Sequence, residues 1–201
     1  MRVTPVLDVS GLPTYAYGHR SILWWGTLVF CLIEATGFGL AVMAYFYLRS
    51  KAVSWPPNLG PPQLIWGTVN TVLLLASCLP NHWVKKAAEE EDLRQVRIWL
   101  LVCLAFGVAF TAVRWLEFPA LGVEWDTNAY GSVVWMLMAL HTTHIVTDVA
   151  DTAVLTALMF TRRGREGKRF VDVSENAFYW YFVVLTWLPI YAVVYLVPRF
   201  L

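Results

Sequence analysis

Apolar residues run in five long blocks, broken by short polar or proline-rich stretches, with no strand-like alternation between them. Each block covers about the 20 residues that a helix needs to cross a bilayer's hydrocarbon core. The pattern predicts spanning helices at residues 21–48, 63–83, 96–116, 131–160 and 176–197, in one membrane domain over 1–201. The fold class is therefore an all-α, five-helix membrane bundle. The first and fourth helices exceed the minimum length and are expected to tilt or protrude. SWPPNLGPP (54–62) predicts a stiff connection, because proline continues neither neighbouring helix. KKAAEEEDLRQVR (85–97) sets Lys85 against Glu89 and Glu90 against Arg94 at helical spacing, which predicts two helices carried beyond the membrane as a solvated face.

Composition agrees with that pattern. Only 14% of residues are charged and 58% are hydrophobic, against about 25% charged in an ordinary soluble domain. The net charge of +1 points neither to nucleic acid nor to an acidic partner. Cys31, Cys78 and Cys103 each sit alone in an apolar run and read as small buried hydrophobes. Residues 1–20 contain Pro5, Asp8 and Pro13 and no apolar core, so the first span is expected to insert the protein and stay in it. Lys and Arg set the orientation. The side holding the N-terminus and the second and fourth loops carries eleven of them, including Arg2, Arg20, Lys85 and Arg162. The other side carries four: Arg49, Lys51, Arg114 and Arg199. The N-terminus is expected to be cytoplasmic and the C-terminus outside. Trp24, Trp25, Arg49, Trp66 and Arg114 are the expected interfacial anchors or lipid contacts.

Candidate chemistry concentrates in the fourth block, where His141, His144, Asp148 and Asp151 fall within an arc of roughly 80° on one helix. Ionisable groups inside a membrane are expensive and mark function by default. In the first block, Glu34 lies near the depth of the two histidines, within reach of a Glu–His contact between helices. Three readings of the stripe stay open. A metal site would use His at i and i+3, but His141 to Asp151 covers about 15 Å of helix, too far for one centre. A proton relay suits histidine's titration near neutral pH. A structural role would pair these side chains across helices and fix a partner interface. The chain contains no GxxxxGK[ST] loop, no serine elbow and no HExxH.

Taken in order, the motifs resemble subunit III of the haem–copper terminal oxidases over most of the chain. IEATGFGLAVMAYFYLR (33–49) is similar to that family's span with a membrane-buried Glu. WPP (55–57) and VNTVLLLASC (69–78) resemble its proline-rich loop and the run after it. RWLEF (114–118), YGSVVWMLMALHTTH (130–144) and SENAFYWYFVVLTWLPIYAVVYL (174–196) resemble its Glu-aromatic element, its H-x-x-H helix and its closing helix. Position by position, Glu34, Glu117, His141, His144, Glu175 and Trp180 match family motif residues. Asp148 stands where the family carries a small residue, Asp151 adds a second acid, and Thr142 and Thr143 replace a Gly-aliphatic pair; these departures point to an altered partner helix on that face.

The resemblance implies a non-catalytic subunit of a bacterial inner-membrane oxidase, in the short five-helix form. It would carry no haem, copper or other metal itself. Haem and copper would reside in a catalytic subunit I, and further small membrane subunits and phospholipid would be its other partners, with no nucleic acid. It would support proton uptake and the stability of the complex. The electron donor, cytochrome c or quinol, would bind other subunits. Two alternatives stand beside this reading: an accessory subunit of a nitric oxide reductase-type assembly, and a freestanding membrane metalloenzyme built on the His/Asp stripe.

Overall fold

The computed structural model describes residues 15–57 and 60–200. Arg2, Pro5, Asp8 and Pro13 therefore lie outside the described residues, as do two positions of the proline-rich connection. The expected fold class is the one observed: five helices are long and apolar enough to cross a membrane, and no strand occurs among the described residues. They are α1 (Ile22–Lys51), α2 (Leu64–Glu89), α3 (Leu93–Glu117), α4 (Ala129–Met159) and α5 (Gly167–Tyr191). The chain continues from α5 through a π-helical turn, Ala192–Leu196, into a last short helix, α6 (Val197–Phe200).

Two helices run past their apolar blocks. α2 reaches Glu89 because its polar flank is helix-favouring and supported one turn apart, with Lys85 3.1 Å from Glu89 and Lys86 3.8 Å from Glu90. α5 begins at Gly167 rather than at 176 for a similar reason, with Arg169 donating to Asp172 at 2.8 Å in its first turns. The expected pairing of Glu90 with Arg94 does not occur. α2 has ended by then, Glu91 turns the chain with a φ of 56°, and Asp92 opens α3 by accepting from the N–H groups of Arg94 and Gln95 at 3.0 and 3.1 Å. Asn128 caps α4 in the same way, accepting from the Gly131 N–H at 2.9 Å.

α2 packs on α3 and α5, α4 packs on α3 and α5, and α1 lies on the outer flank of α4 and α5. The main core gathers Tyr45, Leu74, Phe110, Tyr130, Leu137 and Trp187. A second core, around Val84, Val96, Met159 and Phe170, closes one end of the bundle. At that end Tyr15 and Tyr17 donate to Glu91 at 3.0 and 3.2 Å, and Arg97 donates to the Met159 carbonyl at 2.8 Å. The start of the described chain, the α2–α3 turn and the α4–α5 turn thus meet on one side, the grouping in which the basic residues concentrate.

Tight helix contacts depend on glycine. A Cβ on Gly107 would stand 2.5 Å from Val149 of α4, and one on Gly131 would stand 2.2 Å from the Glu124 carbonyl oxygen. The second neighbour is backbone and cannot swing aside. Gly131→Ala is expected to cost about 1–3 kcal/mol through overpacking, read as a lower heat-unfolding midpoint in detergent. An unchanged midpoint would contradict this packing.

Candidate functional site

The last turn of α3 places Arg114 and Glu117 on one face, three residues apart, and the bundle buries them to 1% and 0% exposure. Arg114 Nη1 lies 2.8 Å from Glu117 Oε2. Asn70 of α2 donates to the same carboxylate oxygen, and Tyr195 of the π turn donates to the other at 2.5 Å. The tyrosine ring reaches that place over Gly67, where a Cβ would stand 2.6 Å from it. The guanidinium lies 4.2 Å from the Trp187 ring centre and 4.8 Å from that of Phe110, within cation–π range.

His141 completes this network. Its Nδ1 lies 3.3 Å from Arg114 Nη2, and a guanidinium only donates, so Nδ1 accepts. The ring proton therefore sits on Nε2 and is donated to the Val183 carbonyl of α5 at 3.0 Å. Both ring nitrogens are committed inside the core.

His144 faces the opposite way. Its Nδ1 donates to the Leu140 carbonyl at 2.6 Å and its Nε2 lies 3.0 Å from Glu34 Oε1 of α1. The imidazole and the carboxyl group are thus within hydrogen-bond reach across the two helices. Tyr179 of α5 donates to the second Glu34 oxygen at 2.8 Å. Further along α4, buried Asp148 and exposed Asp151 both accept from the Asn176 amide, at 3.3 and 3.2 Å. Glu34, His144, Asp148, Asp151 and Glu175 line a cleft of about 810 Å³ between α1, α4 and α5.

The stripe read from the sequence is thus divided between neighbours rather than gathered at a centre. His141 belongs to α3 and α5, His144 to α1, and the two aspartates to α5. Among the described residues, no group of three or more His, Cys, Asp or Glu is placed to hold a metal ion. Of the other motif residues, Glu117 anchors the buried network and Trp180 donates to Ser77 of α2 at 2.8 Å. Trp187 to Thr71 and Asn81 to the Ala177 carbonyl, each at 2.8 Å, extend that polar ladder between α2 and α5. Such contacts are worth about 0.6 kcal/mol each in a membrane and chiefly fix register. Glu175 is buried on the cleft wall, with neither side-chain oxygen hydrogen-bonded.

Comparison with known proteins matches residues 15–198 to the family model described as cytochrome c oxidase subunit III. The chain belongs to the cytochrome c oxidase subunit III family. It is 27% identical to cytochrome c oxidase subunit 3 of Thermostichus vulcanus over 188 residues, covering 92% of each chain. It is 26% identical over 183 residues to the subunit 3 of Synechocystis sp., covering 90% of this chain and 78% of the relative. The Drosophila melanogaster subunit 3 is 28% identical over 196 residues, covering 92% and 72%. Subunit III is a non-catalytic subunit of a haem–copper oxidase and carries none of its redox centres. Neither the nitric oxide reductase reading nor the freestanding metalloenzyme is favoured.

Within this subunit III, Arg114 corrects the sequence reading. It is no interfacial anchor, because its charge is buried and spent on Glu117. The signal was available in the Arg-x-x-Glu spacing at the end of an apolar run, whereas Asn70 and Tyr195 had only their polarity within apolar helices to announce them. Tyr195→Phe removes one donor from a buried carboxylate and is expected to cost about 1.5–3 kcal/mol. Heat unfolding in detergent checks this; a midpoint equal to wild type would mean that the tyrosine hydroxyl does not support the pair.

Proposed function

We propose that this chain packs against the catalytic subunit, subunit I, of an oxygen-reducing haem–copper oxidase, beside further small membrane subunits, with haem and copper in that partner. The carrying observation is the family match, which runs through all five spanning helices. The interior chemistry supports it: buried polar groups are spent on one another across helices, which suits a subunit that positions and stabilises. Apolar side chains on the outer faces of α1 and α3, among them Ile33, Met43, Val108 and Trp115, are exposed and suit phospholipid chains or a neighbouring subunit. The Glu34–His144 contact, at a cleft, is the feature that supports proton uptake by the complex and its lasting activity. The basic-loop asymmetry supports a cytoplasmic N-terminus in a bacterial inner membrane.

The test is a mild-detergent pull-down of the tagged chain, read by a reduced-minus-oxidised optical spectrum and metal analysis. Haem bands and copper on a co-purifying large subunit are expected. A haem-free preparation, or haem iron without copper, would contradict the reading.

A further inference from the structure

The cleft between α1, α4 and α5 is unbalanced in charge. Five carboxylates line it, against two basic groups, His144 and Arg169. Each base already has a carboxylate partner, His144 in Glu34 at 3.0 Å and Arg169 in Asp172 at 2.8 Å, although Arg169 Nε is buried without a hydrogen-bond partner. Lys85, on the α2 side of Glu175, is held by Glu89 at 3.1 Å and donates to Ser174 at 3.0 Å. Among the described residues, Asp148, Asp151 and Glu175 make no ion pair.

Their hydrogen bonding is equally thin. The two aspartates share the single amide of Asn176. Glu175 is 5% exposed, and neither of its oxygens has a hydrogen-bond partner. The neighbouring Thr27 hydroxyl spends its proton on the Leu23 carbonyl at 3.1 Å. A carboxyl group buried in this way is costly until something supplies a donor. At the mouth of the cleft the exposed Thr143 and Thr147 hydroxyls donate to carbonyls of their own helix, at 2.9 and 2.9–3.0 Å, which leaves exposed Asp151 as the ionisable group there. An ionisable group is unfavourable against hydrocarbon and calls for a polar neighbour.

The neighbour's chemistry follows from the charges. A phospholipid would bring its phosphate among five carboxylates, where the two basic groups of the described lining are each already paired with one of them. A lysine or arginine side chain brings positive charge and donors without an anion. Asp151 lies about 12 Å along α4 from Met159, at 1.5 Å per residue, within the membrane-spanning part that a partner helix would flank.

We propose that this cleft receives a lysine or arginine side chain from a transmembrane helix of another subunit, which pairs with Asp151 and Glu175 and covers the stripe. The proposal rests on the reading of the chain as an oxidase subunit. It is tested in whole cells with a photo-crosslinking benzoyl-phenylalanine at Val154, which lines the cleft and is 57% exposed. After purification of the haem-bearing complex, the adduct is mapped by mass spectrometry. The expected adduct lies on a transmembrane segment of an oxidase subunit, within one helical turn of a Lys or Arg. Asp151→Asn with Glu175→Gln is expected to reduce it roughly ten-fold or more. Should that pair fail to assemble, Asp151→Asn alone, a change at an exposed side chain, is read in the same way. An adduct to lipid, to a segment without a base, or one indifferent to these substitutions overturns the proposal, as does the absence of any adduct. If wild-type chain brings down no haem-bearing subunit, the oxidase reading fails as well; a haem-bearing complex with a base-free adduct overturns this inference alone.

Discussion

A guanidinium and a carboxylate inside a helical bundle have no water to fall back on, so each must find its partners within the protein or forfeit several kcal/mol. Arg114 and Glu117 meet that condition together. Their ion pair at the end of α3 draws Asn70 from α2, His141 from α4 and Tyr195 and Trp187 from the α5 stretch. Four helices are thereby registered at one point. The glycine at 67, the π turn that presents Tyr195 and the imidazole tautomer of His141 all follow from completing that shell. α1 stands outside it and is tied in separately, through the contacts of Glu34 with His144 and Tyr179.

This arrangement separates two kinds of polar group on α4. His141 has both nitrogens committed in a rigid core and nothing left for chemistry. His144, one turn further along, contacts Glu34 at the edge of a cleft. Membership of the cytochrome c oxidase subunit III family fits such a division. A scaffold subunit needs a fixed interior, and its distinctive features belong at the surfaces where other components meet it. Asp148 and Asp151 lie on that second side, lining the same cleft.

Much of the fold was legible because the bilayer imposes a coarse rule: each spanning helix announces itself as an apolar block of sufficient length. Helix ends were less legible. α2 and α5 extend through polar flanks that hydropathy does not register, and the Glu90–Arg94 spacing looked helical across what proved to be the α2–α3 turn. Within the site, the closeness of Glu34 and His144 could be read from their matching depths. The role of Arg114 was only half legible: its Arg-x-x-Glu spacing allows a pair with Glu117, but charge near the end of a span reads equally as an anchor. Only packing distinguishes the two, and here Trp187 and Phe110 enclose the guanidinium.

The central claim is that the Arg114–Glu117 pair acts as a unit on which the bundle's register depends. A double-mutant cycle with Arg114→Met and Glu117→Gln, read by reversible unfolding in mixed micelles, tests it most directly. Each single substitution strands a buried partner and is predicted to cost about 3–5 kcal/mol. The double variant is predicted to be more stable than the sum of the two losses implies, by at least about 1 kcal/mol. Strictly additive losses would show two independent residues and contradict the account.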